Sequence, residues 1–318
     1  MPAHTSDATP DPATDSAPAI GMGFGHVAIA LALAGLGVVG LVHDDFALSW
    51  QAVPQGLPWR PALAYLSAII LLAGGMGLFV KPIAARCASV VTIYLALCWV
   101  LPQVLKAVPV PFSVGTWLGF FETSAVTAGA WLLWVSLRRS TQINQPAPRP
   151  VLQRSVPIAQ RLFGAACIVF GISHCVYANF TAGMIPPWLP FRLPLAYATG
   201  IGHAAAGLAI VSGIRPRLAA TLEALMMSSF VVLLHIPSLW AAPPPDWALT
   251  PQVQWTALFW ASALAASAWI VAGSLRDRPH PSEIRFVTQE SQHQSLRLAG
   301  RSVAQVAVED LMNEPRAP

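Results

Sequence analysis

The sequence predicts an all-α integral membrane protein with eight transmembrane helices arranged as two parallel four-helix repeats. Three observations predict it. Only 10% of the 318 residues are charged, against 55% hydrophobic. Soluble domains carry roughly 25% charged residues, and so few charges cannot clothe a polar surface, so lipid must cover much of the chain. Apolar runs also recur at lengths near 20 residues, enough for a helix to cross a hydrocarbon core of about 30 Å. Finally, the chain repeats itself at a spacing that grows from 131 to 138 residues.

The apolar runs place the spans at 23–42, 62–80, 87–105, 116–137, 158–177, 194–212, 217–240 and 254–275. Internal Pro and Gly are tolerated in such helices. The stretch before them, "MPAHTSDATPDPATDSAPAI", lacks the basic start of a signal peptide. It reads as a disordered tail over 1–22, rich in Pro, Ala, Ser, Thr and Asp. The first repeat covers 23–140, a cytoplasmic linker 141–156, the second repeat 157–277, and a polar cytoplasmic tail 278–318. Within that tail "VAQVAVEDLM" has the pattern of a short surface helix.

The duplication is carried by matched motifs. "LPWRPALAY" (57–65) aligns with "LPFRLPLAY" (189–197), placing Pro58 on Pro190, Arg60 on Arg192 and Tyr65 on Tyr197. Upstream, "GLVHDDFA" faces "GISHCVYA", placing His43 on His174. Downstream, Trp117 and Trp131 meet Trp255 and Trp269. The shift grows only across loops, as small insertions into a true duplication require. Four helices per repeat is an even number. The second copy therefore enters the membrane from the same side as the first, about a pseudo-two-fold axis along the membrane normal.

Orientation follows from the basic residues. Fifteen of the 18 Lys and Arg fall in one set of connections and the tail, and three (Arg60, Lys106 and Arg192) in the other. Both termini are then cytoplasmic, and the proline turns at 54–61 and 186–194 face outward. The net charge of +4 is not gathered into a basic patch, so no nucleic-acid partner is expected. None of the four cysteines forms a C-x-x-C pair, and they read as small core residues.

The residues able to carry chemistry are few. His203 lies about nine residues into the sixth span, and a polar group at that depth faces the bundle interior or a water-filled cavity. Thr199 shares its face at i, i+4, and Gly200, Ala204 and Gly207 form a small-residue stripe that admits a neighbouring helix. The first repeat has Leu71 at the place of His203, so the scaffold does not require a histidine there. His174 and His235 sit near outer helix ends, and Glu122 lies about two turns into the fourth span opposite Trp260 of the second repeat. A lone carboxylate there must be protonated or paired, to His or Arg. Glu223, near the cytoplasmic end of the seventh span, is expected to pair with an interfacial arginine. Trp188 and Arg192 suit the water–lipid boundary as an interface anchor, or as part of a partly re-entrant cap over a pocket between helices. The recurrence of the proline turn favours a structural role common to both halves, although the first repeat lacks the equivalent of Trp188. The set is open to three readings: a pocket for a small redox molecule such as a quinone, a metal or haem site, or histidines satisfied separately. No metal-ligand spacing supports the second, and no metal is expected.

The segment "GISHCVYANFTAGMIPPWLPFRLPLAYATGIGHAAAGLAI" (171–210) resembles the signature region of DoxX-like bacterial membrane proteins. The shared pattern is a G-x-x-H at a helix end, a P-x-W-L-P turn and an A-Y-x-T-G-x-G-H-x-A-A-G-L helix. It falls on His174, Pro186, Trp188, Pro190, Tyr197, Gly200, His203 and Gly207. The resemblance implies a four-helix unit in the bacterial inner membrane, associated with quinone-linked or thiol-linked redox systems. The expected ligand set is His203, His174, His235, Glu122, Tyr197, Arg192 and Trp188. It would hold a quinone-like molecule in the outer-leaflet half, beside a membrane or soluble redox partner. A small-solute permease and a non-catalytic scaffold for a partner enzyme are the alternatives, and the residues name no reaction.

Overall fold

A computed structural model describes residues 20–140, 150–240 and 250–275. All of them belong to a compact unit spanning Met1–Arg276. The polar tail, most of the first 22 residues and most of the linker lie outside the described residues. Among those described, eight helices are long and apolar enough to cross a membrane, and there are no strands.

The helices are α1 (Ile20–His43), α2 (Arg60–Gly77), α3 (Lys81–Leu95, extended to Ala107), α4 (Val114–Ser140), α5 (Val156–Val176), α6 (Arg192–Ser212), α7 (Pro216–Phe230, extended to Ser238) and α8 (Pro251–Ser274). Their starts follow local chemistry. Proline stands in the first turn of α3, α5, α7 and α8, where a missing N–H costs nothing. Thr250 caps α8 by accepting from the Val253 N–H at 3.3 Å. Gly213, with φ of 75°, ends α6 in the left-handed conformation that glycine adopts freely. The third span begins at Lys81, six residues before its apolar run, because Val80 is extended and Pro82 starts the helix.

Two irregularities recur. α3 loosens into a π turn at Ala96–Val100 and α7 into another at Val231–His235. Each is followed two residues later by proline, Pro102 or Pro237. Proline cannot bond to the carbonyl four residues back and crowds it, and a wider turn relieves both problems. The proline-rich turns recur too. Trp59 precedes α2 with φ of 59°, and Phe191 precedes α6 with φ of 56°.

The packing is ordered. α1 lies against α2 and α8, while α5 lies against α6 and α4. α3 lies against α4, α7 against α8, and α4 and α8 against each other. Trp99 and Trp260 are the largest fully buried side chains, stacked at 5.0 Å. α1, α4 and α8 bury more than half of their spanning residues, while α3, α6 and α7 bury a third or less. The first group forms the interior, and the second presents most of its surface to lipid.

Candidate functional site

α5 and α6 approach closely because glycine stands on both. A Cβ on Gly200 would lie 2.9 Å from His174 Cβ and 3.1 Å from the Gly171 carbonyl oxygen. One on Gly207 would lie 2.4 Å from the Gly164 carbonyl oxygen. The Gly200–Gly207 stripe read from the sequence is therefore the seam it was expected to be. That seam fixes the rotation of α6 and aims His203 inward.

His203 is buried, and its Nδ1 lies 2.6 Å from Oε1 of Glu223 on α7, also buried. This corrects the expectation for Glu223: its partner is a histidine inside the bundle, not an arginine at the interface. The reason is geometric. α6 and α7 run antiparallel through the short turn at 213–215. His203 stands nine residues before Ser212, and Glu223 seven residues after Pro216. At 1.5 Å per residue they reach nearly the same depth. His203 is also 11 residues from the other end of α6, so it occupies the middle of the helix rather than its outer half.

An ion pair in so apolar a place survives because its net charge is zero. One shared proton gives either imidazolium with carboxylate or imidazole with carboxylic acid, and neither form leaves an isolated charge. Among the described residues Glu223 Oε2 is buried with no nitrogen or oxygen hydrogen-bond partner. The buried thiol of Cys167 on α5 lies beside the same carboxylate.

His174 completes the site. Its ring meets that of His203 edge-on, with centroids 4.9 Å apart. Its Nδ1 lies 3.0 Å from Thr199 Oγ1. The one hydroxyl proton of Thr199 is directed to the backbone carbonyls of Leu195 and Ala196, at 2.9 and 3.1 Å. His174 Nδ1 is therefore the donor, and its Nε2 is left as an acceptor. Thr199 serves His174, and not His203 on its own helix. Phe170 and Phe230 wall the two imidazoles, with Phe170 edge-on to His203 at 5.9 Å and Phe230 stacked on His174 at 6.2 Å. His174 is half-buried, so the group of side chains runs from the lipid-facing side of the bundle to a sealed centre.

The remaining expected residues lie elsewhere. Glu122 on α4 is half-buried and accepts a long hydrogen bond, 3.4 Å, from Trp260 Nε1 on α8. Its partner is thus neither His nor Arg but a tryptophan 138 residues further along the chain. His235 is half-buried and makes no side-chain hydrogen bond or ion pair among the described residues. Arg192, Tyr197 and Trp188 are exposed at the start of α6. Their counterparts differ: Arg60 pairs with Asp45 at 2.8 Å, and the Tyr65 hydroxyl donates to Asp44. The two turns thus hold their arginine and tyrosine differently. The four cysteines are free thiols, but Cys98 and Cys175 are exposed rather than core residues.

The residues missed by sequence reasoning are Glu223, Phe170, Phe230 and Cys167. Equal distance of His203 and Glu223 from the α6–α7 turn was the available signal for the first. Among the described residues no group of three or more His, Cys, Asp or Glu is placed to hold a metal ion. No family model, no curated protein and no solved structure matches this chain.

Proposed function

We propose that this chain is a multi-pass protein of a bacterial inner membrane whose second four-helix unit exchanges protons with a quinone-like molecule. The observation that carries the reading is the buried His203–Glu223 pair, joined edge-on to His174. A quinol hydroxyl needs a hydrogen-bond acceptor that can take its proton, and His174 Nε2 offers one on the lipid side. The imidazole of His203 and the buried Glu223 carboxylate continue that line of acceptors inward. The electrons would pass to a membrane or soluble redox partner. The motif resemblance at 171–210 points in the same direction.

The proposal includes two parallel repeats with cytoplasmic termini. The packing pattern supports it, because exchanging α1 with α5, α2 with α6, α3 with α7 and α4 with α8 leaves the set of helix contacts unchanged. So do the two π turns and the two left-handed residues, which fall at aligned positions. Glu122 meets Trp260 and Gly129 meets Ser267, each pair 138 residues apart. Residues meet their own counterparts only beside a two-fold axis.

The test is photolabelling of the full chain in native membranes with an azido-quinone. Label is expected on peptides containing His174 and Phe230. His174→Ala and Glu223→Gln should each reduce it several-fold. Labelling spread evenly over the lipid-facing helices, and indifferent to both substitutions, would sink the proposal.

A further inference from the structure

The two proline turns both end in a left-handed residue before their helix but have opposite electrostatic surroundings. In the first, Arg60 Nη2 lies 2.8 Å from Asp45 Oδ1, and the Tyr65 hydroxyl donates to Asp44. Two donors from the start of α2 thus converge on two adjacent carboxylates just past the end of α1. Asp44 and Asp45 align with Cys175 and Val176, which close α5. The donors persist as Arg192 and Tyr197, following the same left-handed residue. The acceptors do not. Among the described residues Arg192 and Tyr197 have no hydrogen-bond or ion-pair partner, and Cys175 and Val176 are exposed at the end of α5.

We infer that an anionic phospholipid supplies the missing negative charge, its phosphate bound by Arg192 and Tyr197 between the end of α5 and the start of α6. A guanidinium and a phenol are complementary to a phosphodiester, one by charge and paired N–H donors, the other by a single O–H. Trp188 and Phe191 stand exposed at the same rim, 63% and 77% accessible. Free phosphate has no use for them, whereas the glycerol and upper acyl carbons of a lipid do. The first turn offers no such site, because its own carboxylates occupy it. One lipid per chain is the expected stoichiometry. This site is independent of the His203–Glu223 reading.

The experiment is native mass spectrometry of the full chain released from mixed micelles. Phosphatidylglycerol and phosphatidylcholine are offered in turn, with and without millimolar inorganic phosphate. One phosphatidylglycerol should be retained above the phosphatidylcholine background. Arg192→Gln and Tyr197→Phe should each weaken it, Arg192→Gln by about tenfold, the scale of one charge-assisted hydrogen bond. The double variant Cys175→Asp with Val176→Asp restores internal acceptors and should abolish retention. Conversely, Asp44→Cys with Asp45→Val should raise the stoichiometry from one to two. All these positions are exposed or half-buried at a helix end, so the fold should survive. Retention unchanged by Arg192→Gln and by the Cys175/Val176 double variant would overturn the inference. So would displacement by inorganic phosphate, which would make free anion the ligand.

Discussion

The two halves of the bundle solve one packing problem with different chemistry. Where the second half places His203, the first places Leu71, and where the second places Glu223, an alignment on the two π turns puts Ala88 in the first. Leu71 and Ala88 are buried, as are His203 and Glu223. The fold therefore does not need an ion pair at this point. The first four helices close around aliphatic carbon there. The difference separates what holds the protein together from what the second half does.

That comparison can be broken most forcefully at the pair itself. Replacing His203 with leucine leaves Glu223 buried without its partner, and removing one member of a buried pair costs about 3–5 kcal/mol. The double variant His203→Leu with Glu223→Ala copies the first half and should recover most or all of that loss. Reversible unfolding in detergent reads both. If the double variant unfolds as readily as the single one, the halves are not equivalent and the pair is structural.

A second, smaller effect lies in the seam that aims the pair. Gly200 aligns with Ala68, so the first half already carries a methyl group at this position. There the neighbouring helix makes room with Gly40, whose own Cβ would come within 2.9 Å of Ala68 Cβ. The second half keeps the equivalent glycine, Gly171, but a Cβ on Gly200 would still come within 2.9 Å of His174 Cβ, so Gly200→Ala must displace that residue. The expected cost is about 1–3 kcal/mol, the range for overpacking, with loss of quinone labelling as His174 shifts. Unchanged stability with unchanged labelling would show that the seam does not position the histidine.

Most of this architecture was legible before any coordinates. Span positions follow from the length of apolar runs, because the bilayer sets one length for all of them. The π turns were not read, although Pro102 and Pro237 mark them, since one proline allows a kink, a stop or a wider turn. The site was half legible. His203 stands out by depth alone, but its partner depends on the rotation of α7 about its own axis. Periodicity within a helix gives its faces without saying which residue they meet. Reading Glu223 outward from its helix end favoured the arginines there. Reading it inward from the shared turn finds His203. Trp260 was no obvious partner for Glu122, because periodicity along α4 does not say which helix that face meets.

The smallest effect concerns the hydroxyls that align across the halves, Ser67 and Thr199. Ser67 sits in a closed polar group, 2.5 Å from the Tyr94 hydroxyl and 3.2 Å from Gln51 Nε2, while Gln51 Nε2 also reaches Tyr94 at 2.9 Å. Thr199 holds only His174 from outside its own helix. Ser67→Ala leaves Gln51 and Tyr94 bonded to each other, so each keeps a partner. Thr199→Val removes the sole side-chain acceptor of His174 Nδ1 and costs about 1 kcal/mol. Its larger consequence is chemical. With only the Ala196 backbone carbonyl left to hold it, the imidazole is less firmly oriented, so labelling near His174 should fall several-fold while stability barely moves. Thr199→Ser, which keeps the acceptor, should restore the labelling. Ser67→Ala should leave it untouched, because the polar group of the first half has no histidine to aim.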